Sequence, residues 1–597
     1  MGDAPRTAPA ANMDAVVSEV AAEAHLHLDG LAPDERAYLK EHALKKPLRV
    51  LDVWALGVGV VVAGAYFGWN LGLKDNGPVA MLVASLIVCL LYLAWVLALA
   101  ELTVAMPLAG GPLAYGRRAA RPILGFVMGW SMLLECQFAA VGTAMAAGGY
   151  IAFLLNPDEP SLNAQIWSAL ATIGLFFLLQ AWGVKEQSWA MVIMTYGALL
   201  GLIIFWGAAA TNFSWERVWP RHDLLSGKGW RAVLDAVPYA LWWLVMIETV
   251  ALAAEEAHAP HRTIPRGLTW AQLTLIVLVV LTWLFACGAL DSQEIAVGSK
   301  GQEIIYPLAE VIRRIRVGRS PVLLLSFGTI ALFGLIASYH GMIYGTSRQA
   351  FALGRAGYLP RFLGGVHPQR RTPIPALLAC SLVSAGFALA CFWFKDAISI
   401  AVLVSTLTAL IWYILAMVCL LLLRRREPQL FSAYKAPLPR LLPVLVVLLS
   451  LFAAYVYSGI DHGKEVLLLT AGLYALGLGY YGLWGRARLQ SAAPEELAAR
   501  QQTRRQEDKK TKRAEVQTGL ERGTAIAICA VMLSLAWMIA AAYQPDYFRL
   551  FSLESEIVII LALLLTALLS VSLIALRHTR LASGGREPPD AASPSGG

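Results

Sequence analysis

Two carboxylates stand where carboxylates are expensive. Glu135 falls within GWSMLLECQFAAVGTAM and Glu248 within PYALWWLVMIETVALAA, each acid having apolar sequence on both sides. An acid at the centre of a membrane helix costs about 2.5–3.5 kcal/mol on insertion scales, which favours a partner or a function for it. The chemistry open to them is charge neutralisation of a small organic cation, helped by aromatic faces. Tyr66, Phe67, Trp69, Tyr239, Trp242 and Trp243 cluster near Glu248 or in the first apolar stretch. Cation–π contact with a desolvated ammonium contributes about 2 kcal/mol. The candidate solute-binding set is Gly64, Ala65, Tyr66, Glu135, Tyr239, Trp242, Trp243 and Glu248. The bland alternative is a carboxyl that caps neighbouring backbone, with the aromatics facing lipid or a gate.

The elements that must position these residues are membrane helices. Apolar residues make up 58% of the 597, charged residues 15%, and mean hydropathy is +0.60, with the apolar residues in blocks of eighteen or more. Such blocks predict a polytopic all-α membrane protein, since lipid admits only helices and closed barrels and the alternation of barrel strands is missing. Spans are expected at roughly 52–72, 79–106, 123–155, 165–183, 189–209, 233–254, 268–288, 322–347, 374–394, 397–423, 441–458 and 465–484, with two more at 523–543 and 556–576. Glu135 then lies about ten residues into the third span, about 15 Å deep in a hydrocarbon core about 30 Å thick.

Two of these spans carry breaks. The sixth has Pro238 and paired tryptophans before Glu248, and the first, DVWALGVGVVVAGAYFGWNLGLKDNG, has Gly57, Gly59, Gly64 and Gly68 crowding its centre. Each glycine weakens a helix by about 1 kcal/mol relative to alanine, so the first span is expected to open near Val62 to Ala65. A small-residue packing face is the alternative, because Gly64 and Gly68 also form GxxxG. Weak points in spans one and six, entered from opposite sides, point to an inverted five-plus-five repeat with a solute site between two discontinuous helices.

The cations set the expected orientation: Lys45, Lys46, Arg49, Arg117, Arg118, Arg121, Lys185, Arg262, Arg266, Arg355, Arg361, Arg370, Arg371 and Arg424 to Arg426 all fall at one face. Both termini are therefore expected in the cytosol, the protein lying multi-pass in the cell membrane. The domain reading is a cytosolic tail over 1–50, a twelve-span core over 51–485, a charged cytosolic linker over 486–522, two additional spans within 523–577 and a Ser/Gly/Pro-rich tail over 578–597. Within the N-terminal tail, 34–46 suits a short amphipathic surface helix, and PLAEVIRRIRV, in the 289–321 loop, suits a helix on the outer face. Glu101, Glu255, Glu256 and Arg348 are placed to form a cytoplasmic gate, or else are solvated loop-end charges. Ser338 and His340, with Thr346, are candidates for contact with a coupling proton or sodium ion, against simpler helix–helix hydrogen bonds.

Several functions are disfavoured. The seven cysteines lie in apolar blocks without CxxC spacing or a nearby His, so neither disulfides nor a metal site is expected. No HExxH, GxSxG or nucleotide loop suggests an enzyme. The +8 net charge is explained by topology rather than nucleic acid. No cofactor is expected; the expected partners are a small-molecule amine and membrane lipid. No leader with a basic start and apolar core is visible.

The stretch ALAELTVAMPLAGGPLAYGRRAARPILGFVMGW resembles the span 2 to span 3 signature of the amino acid/polyamine/organocation superfamily. AEEAHAPHRTIPRG, GLIASYHGMIYGTSRQAFALGRAGYLPR and RRREPQLFSAYKAPLP are similar to later segments of the same superfamily, so the resemblance covers roughly residues 50 to 485. AGAYFGWNLGL is most similar to the ethanolamine permeases, although Ala63 and Ala65 stand where those carry more polar residues. The resemblance implies a LeuT-like core and secondary active uptake of an ethanolamine-like amine. An amino acid permease, whether ion-coupled or an exchanger, is the first alternative, and a transporter-like membrane sensor is the second. Related transporters place a Lys in mid-span 5 as a sodium surrogate; MVIMTYGALLGLI has none.

Overall fold

The computed structural model describes residues 33–497 apart from 42–47, 158, 183, 221–224, 299–300, 316–320, 371 and 395. The two additional spans, most of the linker and both chain ends lie outside the described residues. Nineteen α-helices follow one another: α1 (Pro33–Glu41), α2 (Val50–Val61), α3 (Ala63–Tyr66), α4 (Gly77–Ala105), α5 (Pro112–Ala119), α6 (Pro122–Leu155), α7 (Leu162–Trp182), α8 (Val184–Ala210), α9 (Trp215–Val218), α10 (Trp230–Leu241), α11 (Thr249–Leu252), α12 (Pro260–Ala289), α13 (Ser292–Ala296), α14 (Pro307–Arg314), α15 (Pro321–Arg355), α16 (Ile374–Ala390), α17 (Ala397–Arg426), α18 (Leu441–Val456) and α19 (Gly463–Leu483). Prolines open the first turns of α4, α5, α6, α12, α14 and α16. There the missing N–H has no intrahelical partner to lose and the fixed φ already suits a helix.

Nine helices among the described residues are long and apolar enough to cross a membrane, and Val50–Tyr66 and Ile374–Ala390 are shorter apolar helices. The protein is thus a multi-pass membrane protein. The only strand-like pairings among the described residues are two isolated bridges, Leu48 with Ala257 and Val297 with Glu303. Helices α6 and α17 are the most buried of the long ones, while α7 and α19 are the least buried. α6 packs along α7, α15 and α17, α2 lies on α12, α8 and α15, and α10 lies on α4. Exposed Trp167, Leu175, Leu178, Trp182, Ile193, Leu200 and Ile203 on α7 and α8 form the apolar rim that a helix in lipid requires.

One face of this bundle gathers the arginine-rich helix ends, Arg117 and Arg118 in the last turn of α5, Arg355 in that of α15 and Arg424 to Arg426 in that of α17. Cations there also complement the negative helix ends. On the same basic face Leu48 donates its N–H to Glu256 O (3.1 Å) and accepts from His258 N (2.8 Å), tying the entry of α2 to the exit of α11. The expected surface helices appear as α1 and α14, although Pro307 to Ile312 of α14 are buried. The segment read as a solvated linker departs from that reading over its first part: Ala492 to Leu497 are buried against the core.

Candidate functional site

The first break lies between α2 and α3. Among the described residues, the helical bond expected from Ala63 N–H to Gly59 O is replaced by a side chain from α15. Ser338 Oγ accepts from Ala63 N and donates to Gly59 O, both at 2.7 Å. The hydroxyl is spliced into the helix, holding it open by about one oxygen. Past α3, Phe67 is extended and Gly68 takes φ 90°, a conformation open to glycine at little cost. Gly68 N donates to Asn70 Oδ1 (3.0 Å), and Tyr150 on α6 donates to Tyr66 O (3.0 Å), so the freed groups find partners.

The second break follows α10. Pro238 deprives the last helical turn of one donor, and residues 242–248 form successive turns before α11. Met246 adopts φ 83°, and Glu248 Oε1 accepts from its N–H at 3.0 Å. The break begins after Leu241, at the paired tryptophans, and runs on to Glu248, because the carboxylate itself caps the turn and so belongs to the break.

The two breaks meet at Gly64. A Cβ there would sit 2.5 Å from Trp242 O and 3.0 Å from Trp243 Cα, so only glycine allows this backbone-on-backbone approach. Phe67 meets the Trp242 ring edge-on (5.3 Å), and Trp69 stacks on Trp243 (4.6 Å, 20°). Trp69 Nε1 donates to Ala65 O and Trp243 Nε1 to Ser85 Oγ on α4, while buried Trp242 Nε1 has no partner among the described residues. Gly64, Ala65, Trp242 and Trp243 are therefore brought together. Tyr239 lies a turn earlier, against Gly72. Tyr66 points elsewhere: its hydroxyl donates to Ala198 O on α8 (2.6 Å) and its ring packs on Gly334 of α15.

Glu135 and Glu248 also come together, within hydrogen-bonding reach of each other and fully buried. Consecutive residues of α17 hold one acid each. Trp412 Nε1 donates to Glu135 Oε2 (2.6 Å) and Tyr413 OH to Glu248 Oε1 (2.5 Å). Trp95 on α4 stacks on Tyr413 (4.0 Å), and the hydroxyls of Tyr92 and Tyr413 lie 3.2 Å apart. Apart from each other, Glu135 Oε1 and Glu248 Oε2 have no hydrogen-bond partner among the described residues, and no ion pair there reaches either carboxylate. Two acids with spare acceptor capacity in an apolar, aromatic-walled setting can hold one cationic donor. Trp412, Tyr413, Trp95 and Tyr92 were not singled out from sequence; aromatics in an apolar run look the same whether they face lipid or a site.

The remaining candidates sort into separate places. His340 faces α7, where Gln180 Nε2 donates to its carbonyl (2.6 Å) and its ring packs near Phe176, so it does not join Ser338 at the break. On the basic face Arg348 pairs with Glu256 (3.0 Å), which also accepts from Tyr344 OH (2.8 Å). Glu255 pairs with Arg355 (3.1 Å) and accepts from Ala109 N (2.7 Å). Burial raises the Glu256 carboxyl above its ordinary range, with the Arg348 charge pulling it back. Glu101 stands apart from this network, bound through both oxygens by Arg424 (2.7 and 2.5 Å) and by Ala436 N (2.7 Å). Arg355 and Arg424 are the basic-face partners that sequence reasoning missed, since each reads as an ordinary topology cation.

Residues 48–477 match the amino acid permease family, and the chain belongs to it, and with it to the amino acid/polyamine/organocation superfamily. An uncharacterized transporter of Rhizobium meliloti (strain 1021) is 28% identical over 433 residues, covering 70% of this chain and 88% of that protein. A branched-chain amino acid permease of Bacillus subtilis (strain 168) is 25% identical over 432 residues, covering 69% and 88%. The methylthioribose transporter of the same organism is 24% identical over 456 residues, covering 73% and 94%. The fold and these relatives define the class: a polytopic membrane transporter.

Proposed function

We propose that the chain is a secondary active transporter that imports a small organic ammonium, with ethanolamine as its representative, across the cytoplasmic membrane by alternating access. The observation that carries this reading is the Glu135–Glu248 pair. Apart from the other acid, one oxygen of each has no partner among the described residues, neither has a cationic side chain bound to it there, and the site stands at the end of a broken helix. A buried acid pair without a counter-ion is costly, and a bound ammonium offsets that cost with charge-assisted hydrogen bonds. Aromatic walls supplied by Trp95, Trp412 and Tyr413 suit the same ligand. The core is read as twelve spans built on a five-plus-five inverted repeat of LeuT-like form, with α2–α3 and α10–α11 as the discontinuous pair, the basic face in the cytosol and two further spans after the core.

A second reading, import of an amino acid, is favoured by the names of the relatives. The two readings differ in whether the site must also hold a carboxylate. Uptake of radiolabelled ethanolamine into proteoliposomes, under separately imposed proton and sodium gradients, tests the proposal. Competition by other amino alcohols but not by alanine or arginine is the expected result. Competition by the amino acids alone would move the assignment to the second reading.

A further inference from the structure

The chain does not leave the core when α19 ends. A turn of 3-10 helix at Gly485–Ala487 sends it back across the basic face, where Gln490 N donates to Ala356 O (2.9 Å). Ala493 is buried in an apolar cluster with Leu113, Ala352, Ala356 and Tyr358, and Leu497 is buried as well. Between them, two consecutive acids reach two different elements. Glu495 Oε1 accepts from Arg355 Nη2 at the end of α15 (2.6 Å). Glu496 accepts from Arg117 Nε on α5 (2.9 and 2.8 Å) and from Tyr358 OH (2.7 Å).

Arg355 is already committed: both its Nη atoms also donate to Glu255, just past α11. One guanidinium therefore carries two buried carboxylates, and Glu495 Oε2 has no hydrogen-bond partner among the described residues. Glu495 also sits against the Gly110 turn that precedes α5. Its attachment joins the ends of α11 and α15 to the α4–α5 turn, three parts that must separate for this mouth to open. An excess buried negative charge makes the attachment easy to give up, because hydration recovers what burial withholds. A purely structural tail would be served better by a neutral residue there.

We propose that the basic-face mouth is a docking surface for a di-acidic segment, occupied here by the chain's own Gln490–Leu497, and that this docked strap holds the mouth closed. The role rests on the transporter reading given above; the docking itself does not. Beyond Leu497 the chain continues to Gly597, so the strap is the point at which those residues are joined to the gate.

Neighbouring isosteric substitutions act in opposite directions. Glu496→Gln removes the charged partner of Arg117 and loosens the strap, whereas Glu495→Gln removes the surplus charge, keeps an acceptor for Arg355 and tightens it. The test uses the full-length protein with Ala352→Cys, a buried site under the strap, and the rate of its labelling by a water-soluble maleimide, corrected for the parent without that cysteine. Loss of a hydrogen bond to a charged group corresponds to about a tenfold change in such an opening equilibrium. Glu496→Gln is therefore expected to raise labelling about tenfold and Glu495→Gln to lower it, with amide hydrogen exchange over 490–497 moving in step. The maximal rate of ethanolamine uptake should follow in the same order. Equal labelling in all three proteins, or a shift of both variants in one direction, overturns the strap. Ordered labelling without any ethanolamine uptake would leave the strap standing and remove the substrate reading; ordered labelling with uptake unchanged between variants would refute its role in holding the mouth closed.

Discussion

Replacing Glu135 by glutamine tests the acid pair most directly, because the structure makes the variant conservative in every respect but charge. The amide oxygen of the introduced glutamine can keep the bond from Trp412 Nε1, now 2.6 Å from Glu135 Oε2. Its NH₂ can donate to Glu248, which lies within hydrogen-bonding reach, while one of two neighbouring acids is removed. Folding should therefore be unharmed, and stability should be kept or rise by up to about 1 kcal/mol, the net worth of an ordinary hydrogen bond. Cation binding should suffer. A unit charge about 4 Å from a carboxylate is worth about 4 kcal/mol at an effective dielectric of 20, and a charge-assisted hydrogen bond about 1.5–3 kcal/mol net. With Glu248 still present, a loss of about 2–4 kcal/mol corresponds to roughly a thirty- to several-hundredfold higher KM. Radiolabelled ethanolamine uptake into proteoliposomes reads the KM, and thermal unfolding in detergent reads the stability. A folded Glu135→Gln protein that takes up ethanolamine with the native KM would refute the reasoning, and so would a variant that fails to fold, which would make the pair structural.

Three further outcomes follow from the contacts. Gly64→Ala forces a methyl to within 2.5 Å of Trp242 O, so uptake should fall at least tenfold while the protein still reaches the membrane; native uptake would show that the two breaks are not held together there. Ser338→Ala removes the hydroxyl shared by Ala63 and Gly59 and should slow maximal uptake about tenfold with little change in KM, and Ser338→Thr should restore most of it; an altered KM alone would place Ser338 at the solute instead. Tyr413→Phe takes a donor from Glu248 and leaves Trp95 stacked on the ring, so KM should change severalfold while unfolding temperature moves little; an unchanged KM would separate Tyr413 from the site.

The long apolar runs made the class of fold legible, and glycine and proline marked where two of its helices open. What escaped was whatever depends on which helices face each other. Glu135 and Glu248 are 113 positions apart, and nothing local says that Trp412 and Tyr413 will clasp them from a third helix. Tyr66 shows the converse. Its neighbours place it in the broken span, but a tyrosine there can turn either toward the partner break or toward α8, and small residues at Gly201 and Gly334 opened the second route. Glu255 and Arg348 shared the expected face, yet Glu255 pairs with Arg355 and Arg348 with Glu256, because the two guanidinium groups stand about two helical turns apart on α15 and the adjacent acids face different ones.

The hydroxyl of Ser338 has a wider consequence. It both donates to and accepts from the backbone of the broken helix, so the joint between α2 and α3 is latched by a side chain of a third helix. Any change in the spacing of Gly59 and Ala63 therefore strains or breaks two bonds to α15, and the joint is mechanically tied to that helix.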